Sequence, residues 1–453
     1  MRIYNRKVVA IKTLSVIGIG KLGLPLAAYY ASRGYKVIGV DVNKSIVEAV
    51  NKGICPIYEP GLAELLKDHH GRLSATTDNK FAVENSDITF ILVPTPSEKH
   101  GGFSTKYAEE AARNIGAALK DKNDFHIAVL TSTVMPGATE TVIKPILEGI
   151  SGKKCGVDFG LCYNPEFIAL GSVIKDLASP DAVLIGESDT KSGDILSELY
   201  KTVCINNPPI ARMSPYNAEV AKLALNIFVT TKISLANAFA EICEQLPGGD
   251  IDAVTKFLGL DSRIGSKYLK GGLGYGGPCF PRDNMAFITL AQQLNTQAWL
   301  QQATHEVNRH QNERIARLVE SKLGNIENKT IAILGITYKP NTDVVEASAA
   351  LETAKELLKK GAHLKIYDPA GNDNAQRVLG EKNVVYTNSV KECLKGTQLC
   401  ILATPWDEFK RLAPEDFIAN MKEPLLLDCW RLFDRAAFAK KIGYLALGVN
   451  SST

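Results

Sequence analysis

The stretch Leu14-Ser-Val-Ile-Gly18-Ile-Gly20-Lys-Leu-Gly23-Leu24 places three glycines between a short apolar run and a helical pattern. Glycines at this spacing allow a tight strand-to-helix turn, close backbone approach to a pyrophosphate, and close packing of helix on strand. The next predicted strand, Lys36–Asp41, ends in a carboxylate that suits ribose hydroxyls and repels a 2′-phosphate. The pattern therefore predicts a turn that binds NAD. The cofactor-binding residues predicted there are Gly18, Gly20, Lys21, Leu22, Gly23 and Asp41.

Apolar strands continue to alternate with helical sequence beyond this turn. The predicted helix that follows it is Leu24–Arg33, and the further strands are Asp87–Pro94, His126–Ser132, Val157–Asn164 and Ala182–Gly186. Strands separated by helices favour parallel pairing with right-handed crossovers. The first part of the chain is therefore predicted to be a doubly wound α/β domain.

The pattern changes near Ser214 and returns after Asn328. Ala218–Leu246 contains neither Pro nor Gly and predicts one long helix, in a central region without a clear strand. Strands and a helix are then predicted at Thr330–Gly335, Ala349–Lys360, His363–Asp368, Gln398–Ala403 and Pro424–Asp428. The prediction is an α/β protein with two doubly wound Rossmann-like domains joined by a helical connector. Its domains are residues 1–213, 214–325 and 326–453, and the long helix is a candidate dimer interface.

Composition excludes several classes of protein. Lys and Arg number 52 against 49 Asp and Glu among 453 residues, so the net charge of +3 argues against a dedicated nucleic-acid or membrane-surface binder. No segment is expected to span a membrane, and the basic N-terminal residues, which run into a glycine turn, predict no signal peptide. Nine scattered cysteines without a CxxC pair predict neither a metal site nor disulfides. The expected location is the cytoplasm.

Polar residues close several of the predicted strands. Thr95 and Thr133 follow two neighbouring strands, at the edge where such sheets bind ligands, although ordinary turn chemistry explains them equally well. Glu166 is a candidate base, but taken alone a Glu after Pro is more often an exposed residue that begins a helix. Lys222 and Asn226 share one face of the long helix. They suggest a site only if that face is buried.

The segment Gly274-Tyr-Gly-Gly-Pro-Cys279-Phe-Pro-Arg-Asp283 surrounds one thiol with small and stiff residues. A thiolate can attack an electrophilic carbonyl and form a covalent intermediate. Most single cysteines are inert, so Cys279 alone does not decide the matter. A NAD fold combined with a nucleophilic cysteine indicates oxidation at the aldehyde level through a thioester.

The chain resembles the UDP-glucose/GDP-mannose dehydrogenase family along nearly its whole length. The resemblance rests on the glycine turn with its Asp, and on a set of further motifs in order. These are Pro56–Leu62 (PIYEPGL), Ser132–Val134, Asn164–Phe167 (NPEF), the helix with Lys222 and Asn226, Arg263, the Cys279 loop, and Gly335–Pro340.

The resemblance implies a four-electron oxidation of the C6 hydroxyl of a UDP-sugar by NAD, most simply UDP-glucose to UDP-glucuronate. It implies catalytic roles for Cys279, Asp283, Lys222, Asn226, Glu166 and Thr133. Further residues would contact the substrate: Phe167, Lys222, Asn226, Arg263, Tyr268, Lys270, Tyr275, Gly276, Lys339 and Arg431. Arg263 would reach the substrate of the partner subunit in a homodimer. Because hydride acceptor and nucleophile must converge on one carbon, the reaction is expected between the two lobes.

The sequence departs from the family pattern at four places. Arg282 replaces a lysine, and Leu170 replaces a glutamate. The segment Thr342–Glu346 is one residue short and lacks an arginine, and Cys429-Trp430 replaces glycine and arginine, with Arg431 as a substitute. A UDP-N-acetylhexosamine or GDP-mannose therefore stays open as the substrate. A two-electron hydroxy-acid-type dehydrogenase would share the N-terminal lobe and the helical middle but would need neither Cys279 nor the third domain. A non-catalytic sugar-nucleotide sensor would have kept the fold.

Overall fold

A computed structural model describes residues 11–450 of the chain. The chain forms two compact units, one up to Ala224 and one from Leu225 onward. The predicted division into three domains stays a prediction. The prediction about a signal peptide concerns mostly residues 1–10, which lie outside the described residues.

The first unit is built around one eight-stranded sheet with the order β3-β2-β1-β4-β5-β6-β7-β8. Its strands are β1 (Thr13–Ile17), β2 (Lys36–Val40), β3 (Leu73–Thr76), β4 (Ile88–Ile91), β5 (His126–Leu130), β6 (Phe159–Tyr163), β7 (Val183–Glu187) and β8 (Ile210–Met213). Its helices are α1 (Gly23–Ser32), α2 (Lys44–Asn51), α3 (Leu62–His69), α4 (Asn79–Glu84), α5 (Lys106–Asp121), α6 (Lys144–Ser151), α7 (Val173–Ala178) and α8 (Thr190–Val203). A 3₁₀ turn covers His70–Arg72 and a π-helical turn covers Thr139–Ile143.

The central strands of this sheet are buried along nearly their whole length, as the apolar runs predict. All residues of β4, β5 and β6 are buried, because helices cover both faces of the sheet. The doubly wound fold is confirmed. The expectation of parallel pairing throughout is wrong at one junction, since β7 pairs with β6 in antiparallel orientation. The sequence analysis also missed β3 and β8, which are four-residue strands with partly exposed positions.

The second unit contains a six-stranded parallel sheet with the order β11-β10-β9-β12-β13-β14. Its strands are β9 (Thr330–Leu334), β10 (His363–Tyr367), β11 (Val384–Tyr386), β12 (Leu399–Leu402), β13 (Leu425–Asp428) and β14 (Gly443–Ala446). The helices from α9 onward are α9 (Pro215–Gln245), α10 (Ile251–Leu260), α11 (Phe280–Gln293), α12 (Trp299–Leu323), α13 (Ala349–Lys359), α14 (Asn372–Leu379), α15 (Val390–Leu394), α16 (Pro414–Asn420) and α17 (Arg435–Ala439). A 3₁₀ turn covers Asp407–Arg411. Within the described chain the stretch 214–325 contains no strand, as predicted.

Helix α9 is the long helix that the sequence predicts, with 31 residues. Among the described residues it is the one helix whose length and composition would suffice to cross a membrane, which the sequence analysis did not anticipate. Half of its most apolar window is buried inside the protein. A core helix passes the same test, so this feature alone is weak support for a membrane span.

Candidate active site

The glycine turn between β1 and α1 is shaped by contacts that only glycine permits. Gly18 has a φ of +91°, and a Cβ there would lie 2.3 Å from the Leu92 carbonyl oxygen. A Cβ on Gly23 would lie 1.8 Å from the Gly18 carbonyl oxygen, so the helix could not start so close to the strand. At Gly20, by contrast, no described atom lies within 4 Å of the added Cβ. The turn is therefore tight on two sides and open at its middle glycine.

The surroundings of this turn fit a dinucleotide. Within the described chain, no side chain caps the first turn of α1 and none of its first residues is acidic, so its amide groups suit a phosphate. Asp41 directly follows β2, is half-buried, and accepts a hydrogen bond from the Asn43 amide at 2.9 Å. The Cβ-free cradle at Gly20 and the carboxylate of Asp41 are the features that NAD requires. Lys21 and Leu22, also predicted here, are exposed.

Thr95 and Thr133 lie on neighbouring strand-end loops, as predicted, and a hydrogen bond joins the loops. The buried Thr95 hydroxyl donates to the Thr133 carbonyl oxygen at 2.7 Å. The Ser132 hydroxyl donates to the Val93 carbonyl oxygen at 2.7 Å in the same place. Thr95 therefore holds the backbone of its partner loop, and Thr133 in that loop is half-buried.

Lys222 and Glu166 meet in the first unit. Lys222, only 7% exposed, donates from Nζ to the Glu166 carbonyl oxygen at 2.5 Å, and its ammonium lies 4.7 Å from the Phe167 ring centroid. Glu166 is half-buried. Burial raises the pKa of Glu166 to about 7, although the Lys222 ammonium and the Tyr200 hydroxyl each lower it. A carboxyl group with that pKa can gain or lose a proton near neutral pH.

Glu219 is a residue of this site that the sequence analysis missed. Its fully buried carboxylate accepts hydrogen bonds from the Gly137 amide at 2.5 Å, the Thr139 amide at 2.8 Å and the Thr139 hydroxyl at 2.6 Å. Burial raises the pKa of Glu219, although the hydrogen bonds from Thr139 and Gly137 lower it. The residue ties the start of α9, one turn before Lys222, to the loop after β5. In the sequence, the signal that could have identified Glu219 was an acidic residue within the apolar run of α9.

In the second unit, Cys279 stands at the N-terminal end of α11 and is exposed. Asp283 lies one turn further and is buried, and its amide donates to the Cys279 carbonyl oxygen at 2.8 Å. The Asp283 carboxylate accepts a hydrogen bond from Asn226 Nδ2 at 2.6 Å. The N-terminal end of a helix carries partial positive charge and stabilises a nearby negative charge. The structure thus joins three of the predicted catalytic residues, and the helix-terminal position of the cysteine is new.

The glycine loop before Cys279 is fixed by polar side chains. The Gly272 amide donates to the buried Asn237 on α9 at 2.8 Å, and the Tyr275 amide donates to Asn308 on α12 at 2.7 Å. The Tyr275 hydroxyl accepts a bond from Asn284 Nδ2 at 2.6 Å. The loop is therefore anchored to three helices. The sequence analysis identified Tyr275 but not the three asparagines, which act from distant parts of the chain.

A cavity of about 260 Å³ opens beside this loop, entirely within the second unit. Five of the predicted substrate-binding residues line it: Tyr268, Lys270, Tyr275, Gly276 and Lys339. The N-terminal turn of α13 (Ser348–Ala350) and Trp430 also line it. Two lysines, a helix N-terminus and several aromatic rings together suit a ligand that carries phosphate groups and a planar ring. Trp430 was noted in the sequence only as a departure from the family pattern.

The comparisons with known proteins agree with this geometry. The model of the UDP-glucose/GDP-mannose dehydrogenase family matches in three parts: the NAD binding domain over residues 12–204, the central domain over 216–310 and the UDP binding domain over 332–435. The chain belongs to this family. It is therefore an oxidoreductase that uses NAD, as the glycine turn predicts.

Individual relatives cover nearly the whole chain. The UDP-glucose 6-dehydrogenase AglM of Haloferax volcanii is 37% identical over 93% of this chain and 97% of its own. A GDP-mannose 6-dehydrogenase of Pseudomonas putida is 34% identical over 88% and 92%. The solved structure of a UDP-glucose dehydrogenase from Pyrobaculum islandicum has a TM-score of 0.89 at 34% identity and covers 99% of this chain and all of its own.

Arg431 and Arg263, two residues predicted to contact the substrate, have local partners in the structure, and their substrate roles stay predictions. The Arg431 side chain is only 7% exposed, and its guanidinium donates to Asp252 at 2.8 and 3.0 Å and to the Leu447 and Lys270 carbonyl oxygens. It therefore braces the cavity wall at Lys270, and Trp430 beside it lines the cavity. Arg263 is 87% exposed and pairs with Asp261 at 2.6 Å. Among residues 11–450, no cluster of three metal-ligating side chains occurs.

Proposed function

We propose that this protein oxidises the C6 hydroxyl of UDP-glucose to the carboxylate of UDP-glucuronate. The observation that carries the proposal is the exposed Cys279 at the start of α11, one turn before a buried Asp283 that Asn226 holds. In this reaction the alcohol becomes an aldehyde, Cys279 binds it as a thiohemiacetal, a second oxidation leaves a thioester, and water releases the acid. Two hydrides leave the substrate carbon, and two molecules of NAD, bound in succession, would accept one each.

The other steps of the proposed reaction are assigned to side chains of this protein. Lys222 is the cation for the oxyanion that develops at C6, which is strongest where water is excluded. Asp283 takes the proton that the attacking group releases. Glu166, whose pKa of about 7 suits proton exchange, and Thr133 serve the water that cleaves the thioester. Gly18, Gly20, Gly23 and Asp41 hold the dinucleotide.

The cavity in the second unit is the proposed seat of the UDP-sugar. Lys270 and Lys339 supply two cations for the diphosphate, and the aromatic rings of Tyr268, Tyr275 and Trp430 supply apolar faces. The match of the UDP binding domain over residues 332–435 and the similarity to UDP-glucose 6-dehydrogenases support a UDP-sugar as the substrate. The glycine loop at the cavity leads directly into Cys279.

A homodimer is the second part of the proposal. The described faces of α9 and α10 expose large apolar side chains, among them Phe228 (69%), Ile242 (58%), Phe257 (74%) and Leu260 (79%). Exposed large apolar side chains favour association with another molecule. Arg263 follows α10 in the chain and would reach the substrate of the partner subunit. Sedimentation of the intact chain and of Phe257→Asp tests the homodimer, since a monomeric wild type rejects it.

The cytoplasmic location stays a prediction.

The reaction is tested by counting NADH per sugar nucleotide and weighing the product. Two NADH per UDP-glucose, with UDP-glucuronate as product, is the expected result. One NADH per substrate rejects the thioester route and supports a two-electron dehydrogenase. Turnover of GDP-mannose or a UDP-N-acetylhexosamine, without turnover of UDP-glucose, keeps the chemistry and rejects the substrate.

A further inference from the structure

A buried polar network lies behind Glu166 in the first unit. Tyr200, on α8 and only 5% exposed, donates its hydroxyl proton to Asn164 Oδ1 at 2.5 Å. Asn164 is 1% exposed and donates from Nδ2 to the Leu184 carbonyl oxygen on β7 at 2.8 Å. Asn164 is thus held from two sides, and it is two residues before Glu166. The reaction proposed above assigns no part to Tyr200.

The same network reaches Lys222 through the backbone. The Glu166 carbonyl oxygen, two peptide units after Asn164, accepts the bond from Lys222 Nζ at 2.5 Å. Pro165, which stands between them, limits backbone rotation. A shift of Asn164 therefore displaces both the Glu166 carboxyl group and the carbonyl oxygen on which the Lys222 ammonium rests.

Several titratable groups face Glu166 from the elements around it. They are Lys222 on α9, Tyr200 on α8, Tyr30 on α1 and Cys204 after α8. Burial raises the pKa of Tyr30 and Tyr200 well above the ordinary value, so both hydroxyls stay protonated. The Tyr30 ring packs on Phe90 with centroids 5.4 Å apart, which keeps its side chain in the core. Burial also raises the pKa of Cys204, to about 11, so its thiol stays protonated as well.

We propose that Tyr200 is a positioning residue for the oxidation: its hydroxyl holds Asn164, and thereby fixes the Glu166 carboxyl group and the carbonyl oxygen that receives Lys222. This inference rests on the proposed function, since Glu166 and Lys222 act in that reaction. A positioning role predicts a loss in kcat, because small displacements of catalytic groups are costly to the reaction step.

Tyr200→Phe tests the role by deleting one hydroxyl. We expect kcat with UDP-glucose to fall about 10–100-fold while KM changes less than about twofold. In the proposed reaction Glu166 acts in its ionised form, and in the wild type the Tyr200 hydroxyl lowers the pKa of Glu166. Removal of the hydroxyl should therefore raise that pKa and move the acidic limb of the kcat–pH profile to higher pH. A loss of packing alone would not move this limb.

Tyr29→Phe is the matched control. Tyr29 is equally buried in the same apolar core, and its hydroxyl donates to the Val203 carbonyl oxygen at 2.5 Å and not to Asn164. The Tyr29→Phe enzyme should keep the wild-type kcat and the wild-type acidic limb of the kcat–pH profile, although it also loses a buried hydrogen bond. A Tyr200→Phe enzyme that matches Tyr29→Phe in kcat and in the pH limb overturns the inference.

Asn164→Ala provides a second variant that retains Tyr200. It should lower kcat to a similar extent, because the segment before Glu166 loses its anchor. Because Tyr200 is retained, the acidic limb should not show the move to higher pH that is expected for Tyr200→Phe. A wild-type kcat in Asn164→Ala overturns the inference. A wild-type enzyme that is inactive on every sugar nucleotide overturns both the proposed function and the role of Tyr200. If the wild type is active, the variants test the role of Tyr200 alone.

Discussion

Two glycine-rich turns precede helices in this protein, and they use glycine differently. In Gly18–Gly23, a Cβ on Gly18 would meet the Leu92 carbonyl oxygen after β4 and a Cβ on Gly23 would meet the Gly18 carbonyl oxygen, whereas Gly20 faces open space. In Gly271–Gly277, every glycine would bring a Cβ within 3 Å of another part of the chain, for example 2.2 Å from the Ala347 carbonyl oxygen at Gly276. The first turn is a cradle with one open position, and the second is a packed support.

The difference follows from what each turn holds. A dinucleotide needs backbone amides exposed at a helix start, so the cradle must stay empty of side chains. A nucleophilic cysteine needs a fixed position, so the loop before Cys279 is filled by neighbours such as Asn308, Tyr338 and Trp430. Substitution of glycine should therefore affect cofactor affinity in one turn and the reaction step in the other.

The largest effect is expected for Cys279→Ser at the end of the packed loop. Loss of the nucleophile should reduce steady-state NADH production from UDP-glucose by about 10³-fold or more. An aldehyde or covalent species trapped in single-turnover experiments would support the role. Cys55→Ser, at a half-buried thiol in the first unit, should leave the rate unchanged. An unchanged rate in Cys279→Ser would falsify the thioester route.

Gly276→Ala should strain the support of the cysteine. The added Cβ meets a backbone oxygen that cannot yield cheaply, which costs about 1–3 kcal/mol of stability. We expect kcat/KM for UDP-glucose to fall about 100-fold with a lower melting temperature. Gly71→Ala, whose Cβ meets no described atom within 4 Å, is the control. A fully active Gly276→Ala enzyme would show that the loop is not a rigid support.

Gly20→Ala probes the open position of the cradle. Since its Cβ meets no described atom, the melting temperature should stay within about 1 °C of wild type. The methyl group occupies space intended for the pyrophosphate, so KM for NAD should rise about tenfold while KM for UDP-glucose stays constant. Equal KM values for NAD in wild type and variant would place the dinucleotide elsewhere.

The smallest effect is expected for Glu166, which lies in the same unit as the Gly18–Gly23 turn. Its pKa is raised from 4.5 to about 7 in the folded chain, so the unfolded carboxyl ionises first. Stability should therefore fall as pH rises from about 4.5 to 7, and the loss is complete above that range. Urea midpoints of Glu166→Gln should lack this slope, whereas those of the exposed Glu64→Gln should retain it. A slope preserved in Glu166→Gln would mean that burial does not raise this pKa.

Local sequence determined much of the fold. Apolar runs of four or five residues identified the buried central strands, and the stretch without Pro or Gly identified α9, since period and breakers are encoded by neighbours in the chain. Short, partly exposed strands such as β3 and β8 carry no such signal. The antiparallel pairing of β7 was also hidden, because strand direction depends on how the chain crosses the sheet.

The site divides in the same way. The glycine turn with Asp41, and the loop with Cys279, are contiguous patterns whose chemistry is legible from residue types and spacing. Tyr200 behind Glu166, Glu219 under the loop after β5, and Asn308 on the glycine loop act across 33 to 82 residues of chain. Likewise, the partners of Arg431 became visible only in three dimensions. Covalent neighbours determine which groups are available, whereas burial and hydrogen bonds between distant segments decide which of them are held in place and how they ionise.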